Sequence, residues 1–89
     1  MPRVEVEITN KLGLHARASA RLTQLAGTFP CEVWMERSGR RINAKSIMGV
    51  MMLAAGKGAK VIIDTEGELA EQAMAALTQM VAEKFGEDE

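Results

Sequence analysis

The most informative stretch of this sequence is Lys11-Leu12-Gly13-Leu14-His15-Ala16-Arg17-Ala18-Ser19. It lies between a segment in which apolar and acidic residues alternate and a segment whose apolar residues have helical spacing. A helix start usually carries acidic side chains, because its unpaired backbone N–H groups are partly positive. Here the first two turns carry Arg17 and Arg21 instead, and no acidic residue lies between Glu7 and Glu32. Ala16 and Arg17 therefore form a predicted anion-binding helix N-terminus.

His15, the only histidine, lies at the boundary of this helix. Ser, Thr, Asp or Asn would normally be found there, since their side chains accept hydrogen bonds from the free N–H groups. A lone histidine near a helix end is most often a surface or packing residue. Three unusual features coincide within one turn, however: the permissive Gly13, His15 at the boundary, and Arg17 two residues later. Together they favour an imidazole that carries an anionic group.

The composition indicates one domain, residues 1–89, of ordinary globular character, with 47% apolar and 26% charged residues. The longest apolar run, residues 47–55, is too short to span a bilayer, and the first residues lack the apolar segment of a signal peptide. A single cysteine, Cys31, excludes an internal disulfide and fits a reducing compartment. One histidine and one cysteine do not make a zinc site, so we expect no metal, no cofactor, no membrane insertion and a cytoplasmic location.

Hydrophobic periodicity predicts the element order β-α-β-β-α-β-α. Strands are predicted over 4–8, 31–36, 40–43 and 61–65, and helices over 16–27, 47 to about 53, and 67 to about 85, with the acidic residues 87–89 frayed. Three amphipathic helices on one face of a four-stranded sheet make an α+β domain of two layers. The periodicity leaves the strand order open, and a ferredoxin-like arrangement remains possible.

Charge is segregated along the chain. A basic block between Glu36 and Asp64 contains no acid, and from Asp64 onward Lys84 is the only base. This pattern indicates two unlike faces, of which the basic one would steer acidic partners. The members of the basic block are Arg37, Arg40, Arg41, Lys45, Lys57 and Lys60.

Ser46 is predicted to cap the second helix, with Val50 and Leu53 facing inward. This orientation leaves outside the core a group that we call the methionine patch, consisting of Ile47, Met48, Met51 and Met52. Two interpretations stay open: another element of the domain covers the patch, or it is an adaptable apolar surface that docks proteins.

Two motifs carry a resemblance to a known family. Asn10-Lys11-Leu12-Gly13-Leu14-His15-Ala16-Arg17 closely resembles the active-site motif of the HPr family, the histidine phosphocarriers of the bacterial sugar phosphotransferase system. Lys45-Ser46-Ile47-Met48-Gly49-Val50-Met51-Met52-Leu53 resembles the regulatory serine of that family and the helix that it caps. The similarity extends over essentially the whole chain. It implies an open-faced β-sandwich whose antiparallel sheet has the strand order 1-4-2-3.

The resemblance also implies a function. His15 would accept a phosphoryl group at Nδ1 from phosphorylated Enzyme I and pass it to IIA domains or proteins of sugar permeases, while Arg17 contacts the phosphoryl oxygens. Ser46 would be phosphorylated by an HPr kinase/phosphorylase, beside a methionine patch that docks partners. The protein would be a monomeric carrier and not an enzyme. One departure is Ala18, where the family commonly has proline; alanine keeps the helix and adds one N–H group.

Two alternatives remain. A phosphocarrier of the nitrogen-linked branch would use the same chemistry with different recipients. An RNA-binding α+β module would account for the basic block, but such modules stack bases on two or three aromatic side chains of the sheet. This chain has only Phe29, Trp34 and Phe85, and both phenylalanines are assigned to the apolar stripes of helices and not to the sheet. The composition therefore disfavours nucleic acid as a partner.

Overall fold

The computed structural model describes residues 2–89 and has four strands and three α-helices. The antiparallel sheet has the order β1-β4-β2-β3, which confirms the α+β fold and the order implied by the resemblance. Within residues 2–89, every helix is too short or too polar to cross a membrane. In chain order the elements are β1 (Arg3–Glu7), α1 (Ala16–Gly27), β2 (Glu32–Arg37), β3 (Arg40–Asn43), α2 (Ile47–Met52), β4 (Lys60–Glu66), α3 (Ala70–Ala82) and a 3-10 turn, Lys84–Gly86.

The core lies between the sheet and the helices. Alternation along β2 buries Val33 and Met35, and the central β4 buries Val61 and Ile63. The helices bury their apolar stripes against these strands, with Leu22 of α1, Val50 of α2 and Leu77 of α3 each at most 1% exposed. Burial of each such side chain stabilises the fold by roughly 1.5–3 kcal/mol.

The other face of the sheet carries polar side chains around Trp34. The guanidinium of Arg41 stacks over the indole ring, 5.1 Å from its centroid. Arg41 Nη1 and Arg3 Nη1 both donate to Oδ2 of the buried Asp64, at 2.5 and 2.6 Å.

Most of the basic block has intramolecular partners. Arg37 and Arg40 donate to the carbonyls of Leu53 and Met52 at the end of α2, at 3.0 and 3.1 Å. Lys45 Nζ donates to the carbonyl of Phe29 at 2.8 Å. With Arg41 on Asp64, these side chains hold the hairpin, α2 and the sheet together, so the charge pattern is in large part a structural one.

The C-terminal predictions were wrong in three details. The third helix begins at Ala70 and not at Gly67, because Gly67 and Leu69 have φ of 112° and 65°, which are outside the helical range. It ends at Ala82, and Phe85 lies in the 3-10 turn with φ 57°, although its side chain is buried as expected. Residues 87–89 are not frayed, since the backbone N–H of Lys11 donates to the carbonyl of Glu89.

The loop before α1 is fastened to the segment after α2. The N–H of Leu14 donates to the carbonyl of Ala55 at 2.8 Å. Gly13 has φ +65°, and a Cβ added there would lie 2.5 Å from the carbonyl oxygen of Ala55 and 2.6 Å from the Cα of Gly56. Only glycine fits this close approach.

Gly13→Ala should therefore destabilise the protein. Left-handed backbone at a non-glycine residue and forced overpacking together should lower the free energy of unfolding by about 3 kcal/mol. Gly27→Ala is the matched control, because Gly27 ends α1 with open space around its Cα. Urea unfolding of both variants tests this, and equal midpoints for the two would contradict it.

Candidate functional site

His15 is the N-cap of α1, as predicted. Its backbone is extended, with φ −76° and ψ −179°, and its side chain makes no capping hydrogen bond. The first intrahelical bond runs from the N–H of Ser19 to the carbonyl of His15, at 2.8 Å. The N–H groups of Ala16, Arg17 and Ala18 precede that bond and are available to an anion.

An open cleft of about 600 Å³ lies at this helix start. Arg17 is exposed beside it, and its side chain makes no hydrogen bond or ion pair with the residues that the structure describes. The cleft combines cationic and acidic groups, since it is lined by Lys11, Leu12, His15, Ala16, Arg17 and residues 87–89. The structure thus brings together every residue predicted for the anion site.

A carboxylate from the far end of the chain contacts the imidazole. Oε2 of Glu87 lies 2.6 Å from Nε2 of His15, and the two side chains are 16% and 26% exposed. Oε1 of the same carboxylate accepts from Asn10 Nδ2 at 3.0 Å, and that amide also donates to the carbonyl of Gly13 at 2.8 Å. The carboxylate of Glu87 therefore contacts Asn10 through one oxygen and His15 through the other.

These contacts lower the pKa of the Glu87 carboxyl below its ordinary value. The hydrogen bond from Asn10 is the largest cause, followed by that from His15; the charges of His15 and Arg21 act in the same direction, and partial burial opposes them. The folded protein favours the ionised form of Glu87. The contact therefore contributes its full stabilisation at any pH above the ordinary carboxyl pKa, and this stabilisation is lost as the pH falls through the lowered pKa of Glu87.

The backbone next to Glu87 is fixed by buried and hydrogen-bonded groups. Phe85 is 2% exposed, and its carbonyl accepts from Arg21 Nη1 at 2.5 Å. Gly86 follows with φ 81° and turns the chain toward the cleft. Glu87 was not among the residues predicted for the site, because its contact with His15 spans 72 positions. The only indication of this contact in the sequence was indirect: the start of α1 lacks acidic residues, and residues 87–89 are all acidic.

The methionine patch lies on α2. Ser46 caps this helix as predicted, since its Oγ accepts from the N–H of Gly49 at 3.1 Å. Val50 and Leu53 are buried, as expected, at 0% and 3% exposure. The patch itself is uncovered, which excludes the interpretation that another described element covers it; its members are Ile47, Met48, Met51 and Met52, at 39%, 68%, 40% and 54% exposure.

Among residues 2–89, the structure has no group of three or more His, Cys, Asp or Glu side chains that could hold a metal ion. Cys31 is buried and free. The polar groups that line the cleft are an imidazole, backbone N–H groups, the cationic side chains of Lys11 and Arg17, and the carboxylates of residues 87–89.

Comparisons with known proteins point to one family. The family model described as "PTS HPr component phosphorylation site" matches residues 2–83. The chain is 59% identical to phosphocarrier protein HPr of Cupriavidus necator over 85 residues, which is 96% of each chain. It is also similar to the crystal structure of HPr-C-His from Thermoanaerobacter tengcongensis, with 43% identity, full coverage of both chains and a TM-score of 0.96. The crystal structure of an HPr dimer from that organism matches with 44% identity, covering 98% of this chain and 100% of that one, and a TM-score of 0.79.

Proposed function

Because this chain belongs to the HPr family of phosphocarrier proteins of the phosphotransferase system, we propose that His15 is the residue that carries its phosphoryl group. The observation that supports this most directly is the position of the imidazole. It is the only histidine of the chain, it caps α1 without using its ring to do so, and it lines an open cleft with Arg17.

The groups around His15 suit phosphoryl transfer. Such transfer needs positioning and charge stabilisation more than covalent assistance. In the proposed mechanism the neutral ring attacks through Nδ1, the N–H groups at the start of α1 face the phosphoryl oxygens, and the guanidinium of Arg17 donates to them. Each helix-end contribution is worth about 0.3–1 kcal/mol. Modest stabilisation of this size fits a carrier, which must release the group as readily as it accepts it.

The proposed partners are phosphorylated Enzyme I as donor and IIA domains or proteins of sugar permeases as acceptors. Each would dock on the methionine patch, where the long unbranched side chains of three methionines adapt to surfaces of different shape. We propose a monomer in the cytoplasm, which is also where the buried free thiol of Cys31 would stay reduced. The same site would serve a nitrogen-linked relay, so the identity of the accepting IIA protein separates the two branches.

Incubation with Enzyme I and phosphoenolpyruvate tests the proposal. The protein should gain one phosphate that is labile in acid and stable in base, and peptide mapping should place it on His15. Transfer onward to a panel of sugar-specific and nitrogen-linked IIA proteins then identifies the branch. A phosphate that resists acid, or that maps elsewhere, would show that His15 is not the carrier.

We further propose that Ser46 is a regulatory phosphorylation site for an HPr kinase/phosphorylase. Ser46→Asp keeps a good N-cap, so the fold should persist, but it adds charge next to the methionine patch. We expect Enzyme I to bind this variant on the order of tenfold more weakly, because a charge at the rim of an interface repels an acidic partner. Isothermal titration calorimetry measures the change.

Ser46→Asn is the matched control, since asparagine caps a helix equally well without adding charge. This variant should bind Enzyme I as the wild type does. Equal affinities of the aspartate and asparagine variants would refute regulation by charge at this position.

A further inference from the structure

The carboxylate of Glu87 contacts a ring nitrogen of His15 in addition to the side chain of Asn10. Its Oε2 lies 2.6 Å from Nε2 of His15, and a carboxylate that is ionised only accepts hydrogen bonds. Nε2 must therefore carry the proton in this contact. In the neutral ring the other nitrogen, Nδ1, then holds the free lone pair.

Building on the proposed function, we infer that Glu87 is a positioning residue for phosphoryl transfer, which holds His15 in the Nε2–H tautomer and leaves Nδ1 as the nucleophile. In the step itself, the Nδ1 lone pair forms a bond to phosphorus, and the bond from phosphorus to the phosphorylated donor protein breaks with its electron pair staying on the donor. No proton moves. Nε2 keeps its hydrogen, and the positive charge that develops on the ring faces the Glu87 carboxylate.

Asn10 explains why a carboxylate is required here. Its Nδ2 donates both to Gly13 O and to Oε1 of Glu87, while its buried Oδ1 has no partner among the described residues. Rotating the amide by half a turn would place Oδ1 against the carbonyl of Gly13, so the donor is held toward Glu87. The two donors, from Asn10 and His15, thus match the two oxygens of one carboxylate.

A carboxamide cannot satisfy both donors. In Glu87→Gln the amide oxygen would meet Asn10, and the NH₂ group would face Nε2 of His15. Nε2 must then accept a hydrogen bond, which moves the ring proton to Nδ1 and blocks the nucleophile. Glu87→Ala removes the contact without adding a donor, so it should impair transfer less than the glutamine variant does.

Ring ¹⁵N NMR and transfer kinetics test this together. At a pH at which the spectrum shows the ring to be uncharged, the wild type should show protonated Nε2 and unprotonated Nδ1, whereas Glu87→Gln should shift toward protonated Nδ1. Its rate of phosphoryl acceptance should fall about tenfold or more, as is typical of a catalytic histidine in the wrong tautomer. Glu83→Gln is the matched control, because it makes the same chemical change at an exposed position outside the cleft. Glu83 follows the last residue of α3, and its carboxylate accepts a hydrogen bond from Gln79.

The outcomes separate the two proposals. Unchanged ring shifts in Glu87→Gln, or a rate equal to that of Glu83→Gln, would overturn the role of Glu87 while leaving His15 as the carrier. A wild type that takes no phosphate from any phosphorylated donor would overturn the proposed function, whatever the ring shifts show. Amide spectra and melting curves of each variant establish that the fold is intact.

Discussion

Replacement of His15 by alanine should abolish phosphoryl acceptance. The chain has no second histidine that could take over, and the N–H groups at the start of α1 would stabilise a bound phosphoryl group but cannot bond to it covalently. Intact-protein mass spectrometry after incubation with Enzyme I and phosphoenolpyruvate should show one added phosphate in the wild type and none in the variant.

The fold should survive this substitution, because the imidazole is not a capping group and is 26% exposed. Removing it leaves Glu87 with its hydrogen bond from Asn10. Circular dichroism should therefore give the same helix content in both proteins. A folded His15→Ala protein that still gained an acid-labile phosphate would place the carrier at another residue.

Arg17→Ala should slow acceptance and donation by about 100-fold, because an arginine on a transferring phosphoryl group stabilises charge in the transition state. Its side chain is exposed and has no partner among residues 2–89, so the variant should unfold at the wild-type denaturant concentration. Rapid-quench measurement of transfer from phosphorylated Enzyme I gives the rate.

Two further variants define what Arg17 contributes. Arg17→Lys keeps the charge but loses the planar set of donors, so its rate should lie between those of wild type and Arg17→Ala. Lys57→Ala removes one exposed positive charge away from the cleft and should lower the rate far less than Arg17→Ala does. An Arg17→Ala rate matching that of Lys57→Ala would remove Arg17 from the mechanism.

Features that depend on neighbouring residues were predictable from the sequence. The helical spacing after Ala16 correctly predicted α1, and the strands predicted over 31–36 and 40–43 agree with β2 and β3 to within one residue. Ser46 has the short polar side chain that a helix start needs, and its capping was confirmed. Each of these signals acts within a few residues, where backbone geometry and side-chain chemistry decide the outcome.

Features that depend on distant residues were not predictable. Nothing near Glu87 indicates that it contacts His15, because the contact requires Phe85 to be buried and Arg21 to hold its carbonyl. The acidic residues 87–89 have the composition of a frayed end, and tertiary contacts override that tendency. The strand order likewise came from the resemblance, since alternation specifies which face of a strand is buried but not which strand lies beside it.

The contact of Nε2 with Glu87 leaves His15 with one nitrogen to offer, at the mouth of a single cleft. Two proteins cannot reach the same atom at once, so the relay that we propose for this ring would proceed by successive encounters. Every second that the carrier remains attached to one partner delays its meeting with the next. The rate of the proposed relay is then limited by how long each complex lasts, so complexes that dissociate quickly suit such a carrier better than tight ones.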